Sequence, residues 1–357
     1  MDKWRSACAK AWAKGPKLEK KNGQHFLEEK PAERGLYIVG GEEKRPKGLL
    51  IAMHGGGAGS GDAWSSHGAY QSAASELGWL MLCPEVLVKT EHGWTDSGTE
   101  EFVLRLVDDA RRTWKLDANH VFFSGHSMGG YGTWTLGAHH ADRVAALAAS
   151  AGAPTPVTGP SGKYEDVDSG VIPSLRNVPL VVYQSDDDPQ VPPAANDIAA
   201  EMLAKAKARW GGFEYEYWRV AGRGHDEAPG GMPALLAKIA KRVREPRPEK
   251  IVWQPALPWK QHFYWLWWQT PQRGALVEAE LDRAKNEIRV TCDRDAKGLE
   301  VLLDERLVDL KRELVVWLNG TEVFRGKPAW RLATVVKTSQ AGDDDLCYGA
   351  SVPLVRK

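Results

Sequence analysis

One serine lies in a sequence pattern that makes a hydroxyl group reactive. The pattern G-x-S-x-G at 125–129 follows the apolar run 121–124 and precedes a helical pattern at 131–139. Between a strand and a helix, this pattern predicts a sharp turn in which the serine backbone is strained and the flanking residues have to be small. Ser127 is therefore the predicted nucleophile. The backbone N–H of Met128 is predicted to face the oxyanion that forms when the serine attacks a carbonyl group.

A serine nucleophile needs a base, and His225 is the predicted one. A serine hydroxyl is a poor nucleophile at neutral pH, so an imidazole within hydrogen-bond distance has to take its proton. His225 follows the predicted strand 215–220, in the glycine-containing loop 222–226. The other nine histidines fit this role less well, because they precede the serine, end the helix that follows it or lie in the C-terminal region.

A carboxylate has to hold the imidazole in the correct tautomer and stabilise its charged form. Three aspartates follow the predicted strand 180–184 and lie between the serine and the histidine, as the chain order Ser, acid, His requires. Their spacing to the V-P pair at 191–192 favours Asp188 as the orienting acid. Asp186 and Asp187 are interpreted as solvated turn residues.

A glycine run after another predicted strand offers a second oxyanion donor. The sequence H-G-G-G at 54–57 follows the strand 49–53, and glycine lets a backbone amide approach an oxygen to about 3 Å without a side chain in the way. Gly56 is the predicted donor, with Gly57 as the alternative. A phosphate-binding loop at 55–61 is the competing interpretation, and it is disfavoured because no G-K-[ST] follows.

Three of the 16 tryptophans lie in or near the loops that should surround the serine: Trp64, Trp94 and Trp134. They are candidate substrate-binding residues, and such rings favour an aromatic or sugar-linked ester as the small-molecule substrate. A position in the core or in the wall of the site is the alternative for each of them. The Pro- and Gly-rich loop 153–173 is predicted to form part of the acyl pocket.

The elements that position these residues fall into two patterns. From 35 to 245, apolar strands, loops and helices alternate, which is typical of a mostly parallel sheet covered by helices on both faces. The predicted strands are 49–53, 79–83, 121–124, 144–150, 180–184 and 215–220, and a helix at 100–114 has a predicted capping box at Ser97 and Glu100. The predicted domains are a lead-in helix at 1–34, an α/β domain at 35–249 and a small all-β module at 250–357. In that module, strands are predicted at 287–291, 299–303, 314–318 and 322–324, with Asn319-Gly320 as a hairpin turn.

The composition of the 357-residue chain disfavours several kinds of partner. Its 47 basic and 47 acidic residues balance, so no net field favours nucleic acid or an anionic membrane. No apolar run approaches the roughly 20 residues of a membrane span, and the N-terminus lacks the apolar block of a signal peptide, which predicts a cytoplasmic protein. The four cysteines show no metal-binding spacing. Among them, Cys292 and Cys347 are either buried thiols or, in an oxidising compartment, a pair.

Together these motifs resemble bacterial esterase families related to polyhydroxybutyrate depolymerases, feruloyl esterases and dienelactone-hydrolase-like proteins. The resemblance covers about 35–245 and rests on H-G-G-G at 54–57, G-H-S-M-G-G-Y-G-T-W at 125–134, D-x-x-V-P at 188–192 and G-H at 224–225. It implies an α/β-hydrolase fold and hydrolysis of carboxylic esters without a cofactor. The β module beyond 250 departs from the family pattern, and no function is transferred to it.

The leading hypothesis is a serine carboxylesterase that works through an acyl-enzyme. A serine peptidase resembling the prolyl oligopeptidase group is the first alternative, although no propeller-like repeat precedes the α/β domain. A non-catalytic binding protein on a hydrolase scaffold is the second, and the aromatic run 263–268 in the β module is its main support. The sequence leaves the oligomeric state open.

Overall fold

The computed structural model describes residues 2–28, 30 and 33–355 and contains two compact units. One unit is Pro16–Arg244, and the other combines Met1–Gly15 with Glu245–Lys357. The predicted lead-in segment 1–34 is therefore divided. Its helix α1, Asp2–Trp12, belongs to the unit that holds the C-terminal residues, whereas the strand Gly23–Glu28 belongs to the sheet of the other unit.

The unit Pro16–Arg244 is built on an eight-stranded sheet. Its elements are β1 Gly23–Glu28, β2 Arg34–Gly41, β3 Leu49–Met53, α2 Ala63–Leu77, β4 Leu80–Pro84, α3 Thr99–Trp114, β5 Val121–His126, α4 Met128–His139, β6 Ala146–Ser150, β7 Pro156–Thr158, β8 Tyr164–Val167, β9 Leu180–Ser185, α5 Ala194–Trp210, β10 Tyr215–Val220 and α6 Gly231–Ala237. The strand order is β1-β2-β4-β3-β5-β6-β9-β10. Strand β2 pairs antiparallel with both β1 and β4. The remaining neighbours in this order, from β4 through β3, β5, β6 and β9 to β10, pair parallel.

This sheet confirms the predicted α/β-hydrolase fold class, and each of the six predicted strands is present with small differences at its ends. Strands β1 and β2 were not predicted. The predicted irregular loop 153–173 also contains the short hairpin of β7 and β8.

Helices cover both faces of the sheet. Side chains alternate between the faces along a strand, so neighbouring residues of β3 point in opposite directions. Leu50 and Ala52 join a core cluster with residues of α2 and α6, whereas Met53 lies close to Gly132 of α4. All five residues of β3 are buried, as a strand covered on both sides requires.

The second unit contains the predicted small β module. Its further elements are β11 Lys250–Trp253, β12 His262–Phe263, β13 Leu266–Trp268, β14 Val277–Asp282, β15 Glu287–Cys292, β16 Leu299–Leu303, β17 Leu314–Leu318, β18 Thr321–Gly326, α7 Leu332–Thr338 and β19 Ala350–Pro353. They form a five-stranded sheet in the order β11-β14-β15-β17-β18 and a four-stranded sheet in the order β12-β13-β16-β19. The predicted turn Asn319-Gly320 joins β17 to β18, and both of its residues have positive φ, as a tight hairpin requires.

Aromatic side chains fill the space between these two sheets. Trp253 of β11 stacks on Phe263 of β12 at a ring distance of 5.2 Å and meets Trp268 of β13 edge-on at 6.1 Å. Helix α1 joins the same unit because Arg5 forms an ion pair of 2.8 Å with the buried Asp304. Much of the aromatic run 263–268 is therefore core of this unit.

Two expectations from composition can be compared with the structure. None of the described helices combines the length and apolar character needed to cross a bilayer. The four cysteines are free thiols, and Cys292 and Cys347 are buried.

Helix α3 begins differently from the prediction. Its N-cap is Gly98, and no side chain caps the first turn, so the predicted capping box of Ser97 and Glu100 is wrong. Glu100 instead points inward and is only 4% exposed. Tertiary partners outcompete a local cap here, because a buried carboxylate needs charged or hydrogen-bonding partners.

Those partners are two histidines at the end of α4. The Glu100 carboxylate accepts hydrogen bonds from His139 Nδ1 at 3.1 Å and from His140 Nε2 at 3.0 Å. Burial raises the pKa of Glu100, but the hydrogen bonds and charges of the two histidines outweigh burial and lower the pKa to about 2. This cluster fastens the start of α3 to the end of α4.

We expect Glu100→Gln to lower the free energy of unfolding at pH 7 by about 3 kcal/mol, because it removes one charge from a buried pair. The folded-state pKa of Glu100 lies below its unfolded value, so the stabilisation is complete above about pH 5 and is lost as the pH falls towards 2. Urea denaturation of both proteins between pH 3 and pH 7 measures the difference. The exposed neighbour Glu101→Gln is the control, and equal stability of the two variants at pH 7 would refute the pairing.

Candidate functional site

The structure brings the predicted serine, histidine and aspartate into one hydrogen-bonded chain. Ser127 Oγ lies 2.8 Å from His225 Nε2, and His225 Nδ1 lies 2.8 Å from Asp188 Oδ2. Since the Asp188 carboxylate accepts from Nδ1, the neutral ring presents Nε2 as an acceptor for the serine proton. The arrangement is that of a nucleophile, a general base and an orienting acid.

Ser127 occupies a strained turn between β5 and α4, with φ of 58° and ψ of −123°. The glycines on either side are required by packing. A Cβ on Gly125 would lie 2.3 Å from the carbonyl oxygen of Gly129, and a Cβ on Gly129 would lie 2.1 Å from that of Met53. Only glycine fits at these two positions, which explains the spacing of the G-x-S-x-G pattern.

Asp188 is held rigidly at the end of β9. Its side chain is fully buried, and its Oδ1 accepts the backbone N–H groups of Gln190 at 2.9 Å and Val191 at 2.8 Å. Its other oxygen accepts from His225. Because both oxygens are occupied, the carboxylate orients the ring with little freedom of its own.

Asp187 has a role that the sequence did not indicate. Its carboxylate is exposed, but Oδ1 accepts the hydroxyl of Ser185 at 2.6 Å and the backbone N–H groups of Gly222, Arg223 and Gly224 at 3.0 to 3.1 Å. The Ser185 hydroxyl and the Gly224 amide are the main causes that lower the pKa of Asp187 to about 2. Asp187 therefore ties the loop before His225 to the loop that carries the acid.

The third aspartate of the run lies outside this arrangement. Asp186 is exposed and pairs with Arg219 of β10. The sequence could not distinguish the roles of Asp186 and Asp187, because those roles depend on tertiary partners: Arg219 of β10 for Asp186 and the loop 222–224 for Asp187.

The predicted oxyanion donors lie beside the serine. Gly56, Gly57 and Met128 line the same cavity as Ser127, and Met128 is the first residue of α4. Gly56 has φ of 130°, and a Cβ there would lie 2.7 Å from the carbonyl oxygen of Ser60. The glycine loop is thus folded back on itself at the edge of the site.

The side chain of His54 holds this loop in place through its two ring nitrogens. The buried ring lies 2.7 Å from the carbonyl oxygen of Gly55 through Nδ1, and its Nε2 accepts the N–H of Val86 at 3.2 Å. Burial lowers the pKa of His54, so the neutral ring is favoured, with one nitrogen donating and the other accepting. The first residue of the H-G-G-G motif therefore has a structural role, since both of its ring nitrogens contact neighbouring backbone groups.

A cavity of about 410 Å³ opens on one side of Ser127. Its lining comprises Gly56, Gly57, Glu91, His92, Trp94, Thr95, Ser127, Met128, Tyr131, Gly132, Thr135, Thr155, Pro156, Gln190 and Val191. Thr155 and Pro156 come from the segment 153–173, which was predicted to shape the acyl pocket.

Of the three candidate tryptophans, the structure brings only Trp94 to this cavity. Its indole N–H donates to the carbonyl oxygen of His54 at 3.1 Å. Trp134 is 1% exposed and packs inside the core, and Trp64 is 49% exposed on α2, where its indole N–H donates to Gln24. The prediction of Trp64 and Trp134 as substrate-binding residues is wrong, because the helix face on which each one lies points away from the cavity.

A second cavity, of about 560 Å³, also opens at the serine. It shares Gly56, Gly57, Ser127 and Gln190 with the first, and its lining also includes His225. The ring of His126, also in this lining, lies 5.0 Å from the ring of His225, and burial together with the His225 charge lowers its pKa. Ser127 thus stands where two cavities meet.

Among the described residues, no group of three or more His, Cys, Asp or Glu side chains could hold a metal ion.

Comparisons with known proteins give similarities at the level of structure. No family model matches the chain, and no curated protein matches it. A thermostable esterase is similar with a TM-score of 0.46 and 17% identity over 63% of this chain and 63% of its own length. A CE1 ferulic acid esterase from the anaerobic fungus Anaeromyces mucronatus has a TM-score of 0.44 and 16% identity, over 62% and 89%.

The poly(3-hydroxybutyrate) depolymerase LpqC from Bordetella parapertussis has a TM-score of 0.42 and 20% identity, over 58% of this chain and 85% of its own. Identities this low do not carry an activity from one protein to another. The geometry of this protein's own side chains is therefore the basis for any activity assigned to it.

We expect Asp187→Ala to slow the reaction of Ser127 with a fluorophosphonate probe by about tenfold, because the loop before His225 loses several hydrogen bonds of roughly 1 kcal/mol each. Asp187→Asn keeps an acceptor oxygen and should retain most of the rate. The neighbouring variant Asp186→Ala is the control, since the Asp186 carboxylate pairs with the exposed side chain of Arg219. Equal labelling rates for Asp186→Ala and Asp187→Ala would remove the positioning role.

Proposed function

We propose that this protein is a serine carboxylesterase that hydrolyses small-molecule esters through an acyl-enzyme. The observation that carries the proposal is the hydrogen-bonded chain from Ser127 through His225 to Asp188, with its hydroxyl end at the meeting point of two cavities. A buried carboxylate hydrogen-bonded to an imidazole stabilises the charged form of that ring, which is the form that arises when the imidazole takes the serine proton.

In the first half of the proposed reaction, Ser127 Oγ attacks the ester carbonyl carbon while His225 Nε2 takes the hydroxyl proton. The carbonyl oxygen becomes an oxyanion, which accepts hydrogen bonds from the backbone N–H groups of Met128 and Gly56, or Gly57 in place of Gly56. Asp188 stabilises the imidazolium without taking its proton.

The tetrahedral intermediate then collapses. The bond to the alcohol oxygen breaks, His225 gives its proton to that oxygen, and the acyl group remains on Ser127 as an ester. A water molecule next donates a proton to His225 and attacks the acyl carbon. The second intermediate releases the carboxylic acid, and the proton returns from His225 to Ser127, so the cycle needs no cofactor.

The cavity walls support an ester with an aromatic or sugar-linked part. Trp94, which is 1% exposed, and the half-buried Tyr131 line the cavity beside Ser127, and Thr95, Thr135 and Gln190 add polar groups. Sites with a few polar groups among aromatic walls hold small organic ligands well.

We expect Ser127→Ala to lower turnover of p-nitrophenyl acetate and butyrate by at least about 10³-fold, because the variant removes the hydroxyl group that is hydrogen-bonded to the base. The wild-type protein should show a burst of p-nitrophenol equal to the concentration of active sites when deacylation is slower than acylation. Stopped-flow absorbance measures both quantities. Ser97→Ala changes an exposed serine outside the site and should match the wild type.

Three results would contradict the assignment. Unchanged turnover in Ser127→Ala would remove the nucleophile. Faster cleavage of peptide amides than of matched esters would favour a serine peptidase instead. Absence of any fluorophosphonate labelling in the wild type would favour a binding protein on a hydrolase scaffold.

A further inference from the structure

The two cavities at Ser127 differ in one respect that matters for an ester. His225 lines the cavity of about 560 Å³ and is not among the residues that line the cavity of about 410 Å³. Trp94, Tyr131 and Met128 lie in the smaller cavity and not in the larger one. The base and the aromatic side chains therefore line different cavities beside the nucleophile.

In the reaction proposed above, the imidazole that takes the serine proton also gives it to the departing oxygen. The alcohol oxygen then has to come within hydrogen-bond distance of His225 Nε2, on the side of the larger cavity. The acyl group, on the other substituent of the same carbon, has to point into the smaller cavity beside Trp94. The position of one ring thus orients the whole ester.

The lining of the larger cavity indicates what kind of alcohol it suits. Ser60, Ser65 and Gln190 contribute hydroxyl and amide groups, and Glu227 contributes a half-buried carboxyl group. Within the part of the chain that the structure describes, the side chains of Ser60 and Gln190 have no hydrogen-bond partner. A carboxylate accepts hydroxyl protons and repels a second anion.

Resting on the proposed esterase function, we propose that the larger cavity binds the alcohol part of the substrate and that this alcohol is polyhydroxylated and carries no negative charge. Glu227 accepts hydrogen bonds from its hydroxyl groups and is the residue that determines this specificity. Ser60, on the loop before α2, and Ser65, in the first turn of α2, offer further hydroxyl groups to this alcohol.

The test uses four acetate esters that share one acyl group and differ in the alcohol: glycerol monoacetate, pentyl acetate, the cationic acetylcholine and the anionic acetoxyacetate. Each kcat/KM is divided by the rate constant of hydroxide hydrolysis, which removes differences in intrinsic reactivity. We expect the glycerol ester to exceed the pentyl ester by about tenfold, since hydrogen bonds to a carboxylate add to binding. Acetoxyacetate should be the poorest substrate.

Variants assign this preference to residues. Glu227→Leu should abolish the advantage of the glycerol ester, Glu227→Gln should retain part of it, and Ser65→Val, on a different element, should reduce it. Glu201→Leu, an exposed glutamate of α5, is the matched control and should change nothing. A preference for acetylcholine, or for pentyl acetate, would overturn the polyhydroxylated alcohol.

A second measurement tests the orientation of the ester. All four esters form the same acetyl-enzyme, so the deacylation rate constant should be equal for all of them. Tyr131→Ala, in the smaller cavity, should instead shift the preference among acetyl, butyryl and hexanoyl esters of one alcohol towards longer acyl groups. The reverse pattern would reverse the assignment of the two cavities.

The outcomes separate this proposal from the one it rests on. If ester turnover requires Ser127 but the normalised kcat/KM is the same for all four alcohols, the alcohol site alone is overturned. A wild-type protein that hydrolyses none of the esters would overturn the esterase function and the alcohol site together.

Discussion

The hydrogen bond between Ser127 and His225 depends on the parallel arrangement of β5, β9 and β10. Parallel strands end at the same edge of a sheet, so the residues that follow them meet there although they are far apart in the chain. Strands β9 and β10 are direct neighbours, which places Asp188 beside the histidine. The serine reaches the same ring from β5 because its turn projects the hydroxyl above that edge. A change in strand order would separate the base from its acid or its nucleophile.

Strain at Ser127 is tolerated because the surrounding backbone leaves the turn no alternative. Its φ of 58° is unfavourable for a residue with a side chain. The glycines on either side let β3 and β5 approach the start of α4 so closely that a single extra carbon would collide with a carbonyl group. Close packing therefore maintains the strained conformation of Ser127. Its hydroxyl group remains accessible from both cavities.

Two adjacent carboxylates, Asp187 and Asp188, serve the same histidine in different ways. Asp188 is buried and holds the ring itself, whereas Asp187 is exposed and holds the loop on which the ring is carried. Buried polar groups that are fully hydrogen-bonded rigidify their surroundings, and here the rigid element is the path from β9 to β10. The cost of burying Asp188 is offset by two backbone amides and one imidazole.

The sequence by itself determined the features that depend on local pattern and chain order: the strands buried on both faces, the serine turn, the order of serine, acid and base, and the Asn319-Gly320 hairpin. Only the tertiary structure decided which way side chains point. Trp64 and Trp134 were wrongly placed at the site, and Glu100 was wrongly taken for a helix cap, because local sequence does not show what lies opposite a helix face. The role of Asp187 was invisible for the same reason, since the backbone N–H groups that it holds, at 222–224, lie more than thirty residues further along the chain.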